Sequence, residues 1–457
     1  MEWAVTILLI LPAIALFLAR STWLIDYLVW VTALNRGIRR VVDWSQSAFS
    51  PLSPISLTPL MISGLVFLLV VQDYGGFPAY FRKICLIFGA ALAVAFTVGL
   101  VRNQLAAVYA LAEYVAPLAI MGRAAAMNGN ERILDRWIRT IGWAAVVVSA
   151  YGWYQFYTIP PWDAFWVRAV GFEGYLGQLR PTEMTVFSTM NERGPLAGFL
   201  AFAVIPMIVS RRWRNVGGWI SVLFILSTIL LTFVRSALIT VGLAAVLFPL
   251  LNRGKNTLRV VMMLSLIALF GTFALQRLPS SEKIGKRVSS IGSITKDGSF
   301  QGRMEIMDYG IGAVLSNPIG SGLGSTGLAG RVNTGQVEAG ATIGDNGYFA
   351  VLFQFGWIGS ALFFYGFYLL WKQTRTFERH GIRTESMMMF KALFATGAVA
   401  LFAGDWLSGA GAIVFFIFAG FSAHPGLAIE SWRRRRESLR ESLRMVDAGG
   451  VSARERV

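Results

Sequence analysis

The sequence predicts an all-α polytopic integral membrane protein, with about 12–13 transmembrane helices and one long extracytoplasmic loop that carries short amphipathic helices. Three observations predict it. Of 457 residues, 55% are hydrophobic and only 14% are charged, where soluble domains carry roughly 25%. The mean hydropathy is +0.58. Apolar runs of the roughly 20 residues that cross a bilayer recur from end to end, and nothing resembles a large soluble domain.

In chain order, spans are expected over 3–19, 22–34, 56–71, 84–101, 104–122, 138–158, 192–210, 217–233 and 234–251, then 257–275, 345–371, 389–404 and 407–425. The segment opening at Trp3 lacks a basic leading region and a small-residue cleavage site, so it is expected to be a retained helix. The stretch 217–252 is too long for one span and should fold as two helices joined near its middle.

Lys and Arg total 41 against 25 acids. The short basic flanks RRWR (211–214) and NRGKNTLR (252–259), the loop 372–391 and RRRR (433–436) all vote for the cytoplasmic side. Alternation then places 159–191 and 276–344 outside. The tail 430–457 puts Trp432, Leu439, Leu443 and Val446 on one helical face, a pattern suited to lying on an anionic inner leaflet. Basic residues spread over membrane flanks do not make a nucleic-acid surface. With Cys85 as the one cysteine, no internal disulfide is possible. His380 and His424, the two histidines, lack the spacing of metal ligands.

The segment 276–344 is long and rich in Gly and Ser, the natural place for function. It carries seven basic residues against five acidic, a small surplus that suits an anionic ligand or a solvated surface equally. LLTFVRSALITVGLAAV (230–246) places Arg235 inside an apolar run at the expected join of two helices. There it serves either as an interfacial anchor or as a group pointing into a cavity between helices. Three stretches share that face: FSTMNERGPLAGFLAF with Arg193, GSFQGRMEIMDYGIGAVLSNPIGSGLG with Arg303, and ATIGDNGYFAVLFQFGWIGSALFF with Asp345, which is also a good helix cap. GSGLGSTG (320–327) contains a formal GxGxxG, but no strand precedes it. It reads as a turn that lets backbone approach helices or a phosphate. YGWYQFYTIPPWDAFW (151–166) could stack on sugars, although an interfacial aromatic belt is the commoner use.

With these motifs in this order, residues 190–370 resemble the O-antigen ligase and Wzy-type polysaccharide polymerase superfamily of bacterial inner-membrane glycosyltransferases. The carriers are the Arg-Ser step in TFVRSAL, the GR before an amphipathic helix ending in NPIGSGLG, and DNGYFAVLFQFGWIGSALF. The resemblance implies a transmembrane glycosyltransferase domain over 1–429, in the inner membrane with its site facing the periplasm. It implies a donor glycan on undecaprenyl diphosphate, with no cofactor, nucleotide sugar or metal. Arg235 and Arg303 would hold the diphosphate and Asp345 would be the base. Arg193, Arg180, Arg331, Asn346 and Tyr348 would contact substrate. Ligases usually begin the last motif His-Asn; Asp345-Asn346 stands here instead, which favours a polymerase. Membrane lipids, a flippase and a chain-length regulator are the implied partners.

The residue types suit this chemistry. A departing diphosphate needs preorganised donors, which paired arginines supply with bidentate geometry. The attacking hydroxyl needs an acceptor for its proton, which a carboxylate can be. The rivals are a ligase that moves finished glycan to a lipid core or protein, a non-enzymatic flippase, and a peptidoglycan polymerase of the shape-and-division type. A flippase usually shows paired halves with charges deep in several helices.

Overall fold

The computed structural model describes residues 1–50, 53–173, 175–214, 217–252, 310–327 and 346–426. The expected span 257–275, the tail 430–457 and the site residues Arg303, Arg331 and Asp345 lie outside them. Thirteen helices are labelled here: α1 Glu2–Leu18, α2 Trp23–Ser45, α3 Pro54–Asp73, α4 Ala79–Asn103, α5 Leu105–Ala126, α6 Glu131–Thr158, α7 Pro161–Val170, α8 Arg193–Val209, α9 Trp219–Leu231, α10 Arg235–Asn252, α11 Gly347–Arg379, α12 Glu385–Ala400 and α13 Ala412–Ala423. All but α7 fall where a span is expected, and no strand occurs among the described residues. The chain is an all-α polytopic membrane protein.

Among the described residues, five helices are long and apolar enough to cross a membrane unaided: α3 with the turn after it, α4, α5, α11, and α12 with its continuation. Others deviate for identifiable reasons. The second span was expected to end at residue 34, yet α2 runs to Ser45 and takes Arg36, Arg39 and Arg40 with it. These charges do not end the helix because they are met by partners inside the protein. Likewise α6 begins at Glu131, ahead of the expected 138, since Asn130 caps it by accepting from the Arg132 amide.

Ion pairs mark one face of the bundle. Arg123 meets Asp73 at 2.9 Å and Arg136 meets Asp26 at 3.1 Å. Arg212 meets Asp135 at 2.6 Å and Glu131 at 2.8 Å, while Lys391 meets Glu378 at 2.9 Å. Burial alone would lower the Arg212 pKa, but its hydrogen bonds to Asp135 and Glu131 raise it above the ordinary value. This is the face on which the basic flanks gather. At the opposite face lie the ends of α2, α6 and α9 and the starts of α3, α5, α8, α10, α11 and α13.

The glycine turn of the NPIGSGLG motif reaches that opposite face as a plug between helices, the use expected for it. Ser321 and Gly322 amides donate to the Phe353 and Gln354 carbonyls at 2.7 and 3.0 Å, and the Leu323 amide donates to Ala95 at 2.9 Å. Arg102 and Asn103 at the end of α4 donate to the carbonyls of Gly320 and Leu323 at 2.9 and 2.8 Å. Gly356, with φ 65° and ψ −173°, breaks α11 beside this turn and lets the Trp357 amide reach Pro318 at 2.8 Å. Gly322, at φ +81°, lies so close to Gly99 that a Cβ would overlap the backbone there. Gly322→Ala is therefore expected to destabilise the protein by about 2–4 kcal/mol, from overpacking plus left-handed strain. A lowered melting temperature in detergent is the check; an unchanged one would contradict the packing described.

Candidate functional site

A short helix, α9, leads into the site. Trp219 starts α9 at the basic face, where Arg214 stacks on its ring 4.0 Å from the centroid. From there α9 has only 13 residues, a rise of about 20 Å in a hydrocarbon layer about 30 Å thick. The chain then turns through Phe233 at φ +55° and starts α10 with Arg235. Arg235 thus stands at the join of the two helices, on the face opposite the basic flanks. It is half-buried and has a partner within the protein.

Beside α10 packs α8, which runs in the same direction and also begins with an arginine, Arg193. Arg193 lies over the Tyr175 ring, 4.5 Å from its centroid. The starts of α11 and α13 open on the same face, and α13 packs on α8 and α11. Each helix start presents unsatisfied N–H groups and a partial positive charge. Two arginines that head neighbouring helices of one face make a floor suited to an anion.

The segment 186–192 leads directly into Arg193, and sequence reasoning missed what holds it. Three arginines of α2 at 36, 39 and 40 share one helical face. Arg40 and Asp163 of α7 form an ion pair at 3.1 Å, both side chains 0% exposed. Arg40 also donates to the Ser188 carbonyl and lies over the Phe187 ring at 4.9 Å. Gln155 donates to Asp163 at 2.5 Å and accepts from the Phe187 and Ser188 amides at 3.1 and 2.8 Å. Tyr151 donates to Asp163 at 2.8 Å and accepts from the Trp162 ring nitrogen at 2.6 Å. Part of the aromatic stretch 151–166 is thus neither sugar platform nor belt; it ties α6 to α7 around a buried charge. Arg39 pairs with Asp43 at 3.3 Å and donates to the Ser50 carbonyl. Arg36 donates to the Met190 carbonyl at 3.3 Å.

The start of α11 is a capped N-terminus. Asn346, 7% exposed, accepts from the Tyr348 and Phe349 amides at 3.0 and 3.4 Å. The cap falls on Asn346, one residue after the expected Asp345. Tyr348 donates its hydroxyl to the Ala398 carbonyl at 2.7 Å and packs on Phe402 with ring centroids 4.8 Å apart. Its visible contacts are those of a structural residue. Arg180 is exposed in the turn closed by the Gly177–Met184 bridge. Of the sequence-derived residues, the structure brings Arg193 and Arg235 onto neighbouring helices of one face, with Asn346 and Tyr348 at the start of α11 on that same face.

A second group went unnoticed at the sequence level. Asp405, in the connection from α12 to α13, lies against the start of α11; a Cβ on Gly347 would sit 3.2 Å from its Cα. Asp405 accepts from the Leu407 amide at 2.9 Å and from Tyr114 and Ser408 at 3.3 Å each. Tyr114 in turn accepts from Gln354 at 3.2 Å, and Gln354 accepts from the Gly324 amide at 3.3 Å. This chain of hydrogen bonds links the glycine turn, α5, α11 and Asp405. Glu113 and Tyr109 lie one turn apart on α5, close enough for Arg36 to act on both electrostatically. A signal for Glu113 existed: it is a lone acid inside the expected span 104–122, the same anomaly that drew notice to Arg235.

Residues 220–364 match the family model described as O-Antigen ligase. The match begins in α9, takes in Arg235, the glycine turn and Asn346, and ends in α11. Among curated proteins no relative matches the chain. The match supports an O-antigen ligase-type domain over this part of the chain, whose family members are glycosyltransferase-like ligases and polymerases.

Proposed function

We propose that the protein is a polymerase of a bacterial surface polysaccharide, of the exopolysaccharide or O-antigen type, working at the periplasmic side of the inner membrane. It transfers a glycan from undecaprenyl diphosphate to a sugar hydroxyl on another lipid-linked repeat. The observation that carries this reading is the pair of contacting, same-direction helices α8 and α10, each headed by an arginine on one face. A lipid-borne diphosphate can reach such a floor from the membrane while its sugars remain in water.

In this reading the acceptor oxygen attacks the anomeric carbon and the bond to the diphosphate oxygen breaks, with inversion. The bonding electrons leave on the diphosphate. Arg235, Arg193 and Arg303 hold that growing charge in place of a metal ion, which a planar, permanently charged group does better than lysine. Asp345, next to the capped start of α11, takes the proton. A ligase would share all but the acceptor.

Supplying purified protein with lipid-linked repeat as the single substrate separates the two. A ladder of longer lipid-linked chains is expected. No lengthening until a lipid core or protein acceptor is added would identify a ligase.

A further inference from the structure

The sequence places 276–344 outside the membrane, yet the described part of it, 310–327, packs like an element that enters one. A helical stretch over 310–316 follows the first turns of α11 in the same direction. Near its start a Cβ on Gly310 would meet the Phe349 ring at 3.4 Å; further along, the Val314 carbonyl accepts from the Trp357 ring nitrogen at 3.0 Å. The chain then turns between three helices. The Leu323 amide donates to Ala95, and a Cβ on Gly322 or Gly324 would overlap the backbone of Gly99 or Ala106. Phe353 and Gln354 take the amides of Ser321 and Gly322. These partners lie within the expected spans 84–101, 104–122 and 345–371, on helices long and apolar enough to cross a membrane.

A turn in water can leave its backbone to solvent, but non-helical backbone in hydrocarbon must be satisfied by protein. Here the amides of Gly320, Ser321, Gly322, Leu323 and Gly324 all donate within the protein. The carbonyls of Gly320, Ser321, Gly322 and Leu323 all accept from Arg102 or Asn103. Arg102 is itself exposed at the end of α4, where a long side chain can keep its charge at the polar edge.

What the segment leaves uncovered is apolar. Ile311 and Leu315, one turn apart, and Ile319 just beyond the helical stretch are 44%, 62% and 63% exposed, whereas Val314 on the protein side is buried. This stripe does not stand alone. Trp357, whose amide and ring nitrogen bond to Pro318 and Val314, is exposed, as is Ile358 beside it in α11. So is Val101, next to the Arg102 that holds Gly320. The uncovered apolar surface therefore continues from the stripe onto two helices of spanning length.

We propose that 310–319 is a re-entrant, membrane-embedded element whose Ile311, Leu315 and Ile319 contact the hydrocarbon of the leaflet opposite the basic flanks, with the glycine turn as its protein-lined tip. This goes beyond the polymerase reading and does not depend on it.

The test reconstitutes the full chain in vesicles of phosphatidylethanolamine and phosphatidylglycerol. The one cysteine is removed by Cys85→Ala, and a nitroxide label is placed singly through Ile311→Cys, Leu315→Cys or Ile319→Cys. Ile358→Cys is the lipid-facing reference, and Glu173→Cys, at an exposed acid after α7, the water-facing one. Collision of the label with oxygen, which concentrates in hydrocarbon, is divided by collision with a polar nickel chelate. The three stripe labels should match Ile358→Cys and give a ratio roughly tenfold above Glu173→Cys, since a polar solute is driven out of an apolar phase. Ratios that match Glu173→Cys would overturn the proposal. The parent chain provides a second reading with no substitution: a phospholipid carrying a photoactivatable diazirine in mid-chain should form adducts on 311–319 as well as on 357–358. Adducts on 357–358 with none on 311–319 would equally overturn it.

Discussion

Arg235→Ala is expected to lower the rate of glycan transfer by about 10²–10³-fold, the usual effect of removing one preorganised donor to a developing negative charge, while the protein still inserts and folds. Insertion should survive because Arg235 is the first residue of α10 and is half-buried, a position where alanine is a good helix former. The rate should fall because alanine offers no donor to the departing diphosphate at this position. Arg235→Lys keeps the charge but loses the fork that grips two phosphate oxygens at once. It should recover only part of the rate. Initial rates of chain extension by purified variants are the check, with melting temperature as the control. A rate within threefold of the parent for Arg235→Ala would return this residue to the role of an anchor.

Arg40→Ala is expected to have the largest effect on stability, about 3–5 kcal/mol, because it leaves the Asp163 carboxylate buried without its counter-ion. The loss would spread beyond one pair. Asp163 also takes hydrogen bonds from Gln155 and Tyr151, and Gln155 holds the amides of Phe187 and Ser188. The segment 186–192 leads directly into Arg193, so a loosened clamp should slow transfer as well. Asp163→Asn combined with Arg40→Met removes both charges and should recover most of the lost stability. Tryptophan-fluorescence melting of the single and double variants in detergent is the measurement. A single variant as stable as the parent would mean that the pair does not hold α7 to α2.

Much of the architecture was readable because membrane spans announce themselves through long apolar runs. Twelve expected spans coincide with helices, and the split of 217–252 into two falls at Arg235. What could not be read was where charge is tolerated. Counting Arg36, Arg39 and Arg40 as the end of a span was reasonable, since isolated guanidinium groups avoid hydrocarbon; their carboxylate and carbonyl partners come from residues up to 154 positions away in the chain. Hydropathy places Arg235 between two spans, where the structure starts α10. The role of the glycine turn was legible in kind, since glycines permit close backbone approach. Its targets, Gly99 in α4 and the Gly356 break in α11, depend on tertiary packing. Asp405 gave no signal, because its meaning comes from lying against Gly347, 58 residues earlier.

The most direct measurement is a structure of the full chain in a lipid nanodisc with undecaprenyl diphosphate bound. The two phosphates should lie on the floor between the starts of α8 and α10, within hydrogen-bonding distance of the Arg235 and Arg193 guanidinium groups, with the prenyl chain leaving sideways into lipid. Phosphates seated elsewhere, with both arginines turned away from them, would contradict a site built on these helix starts.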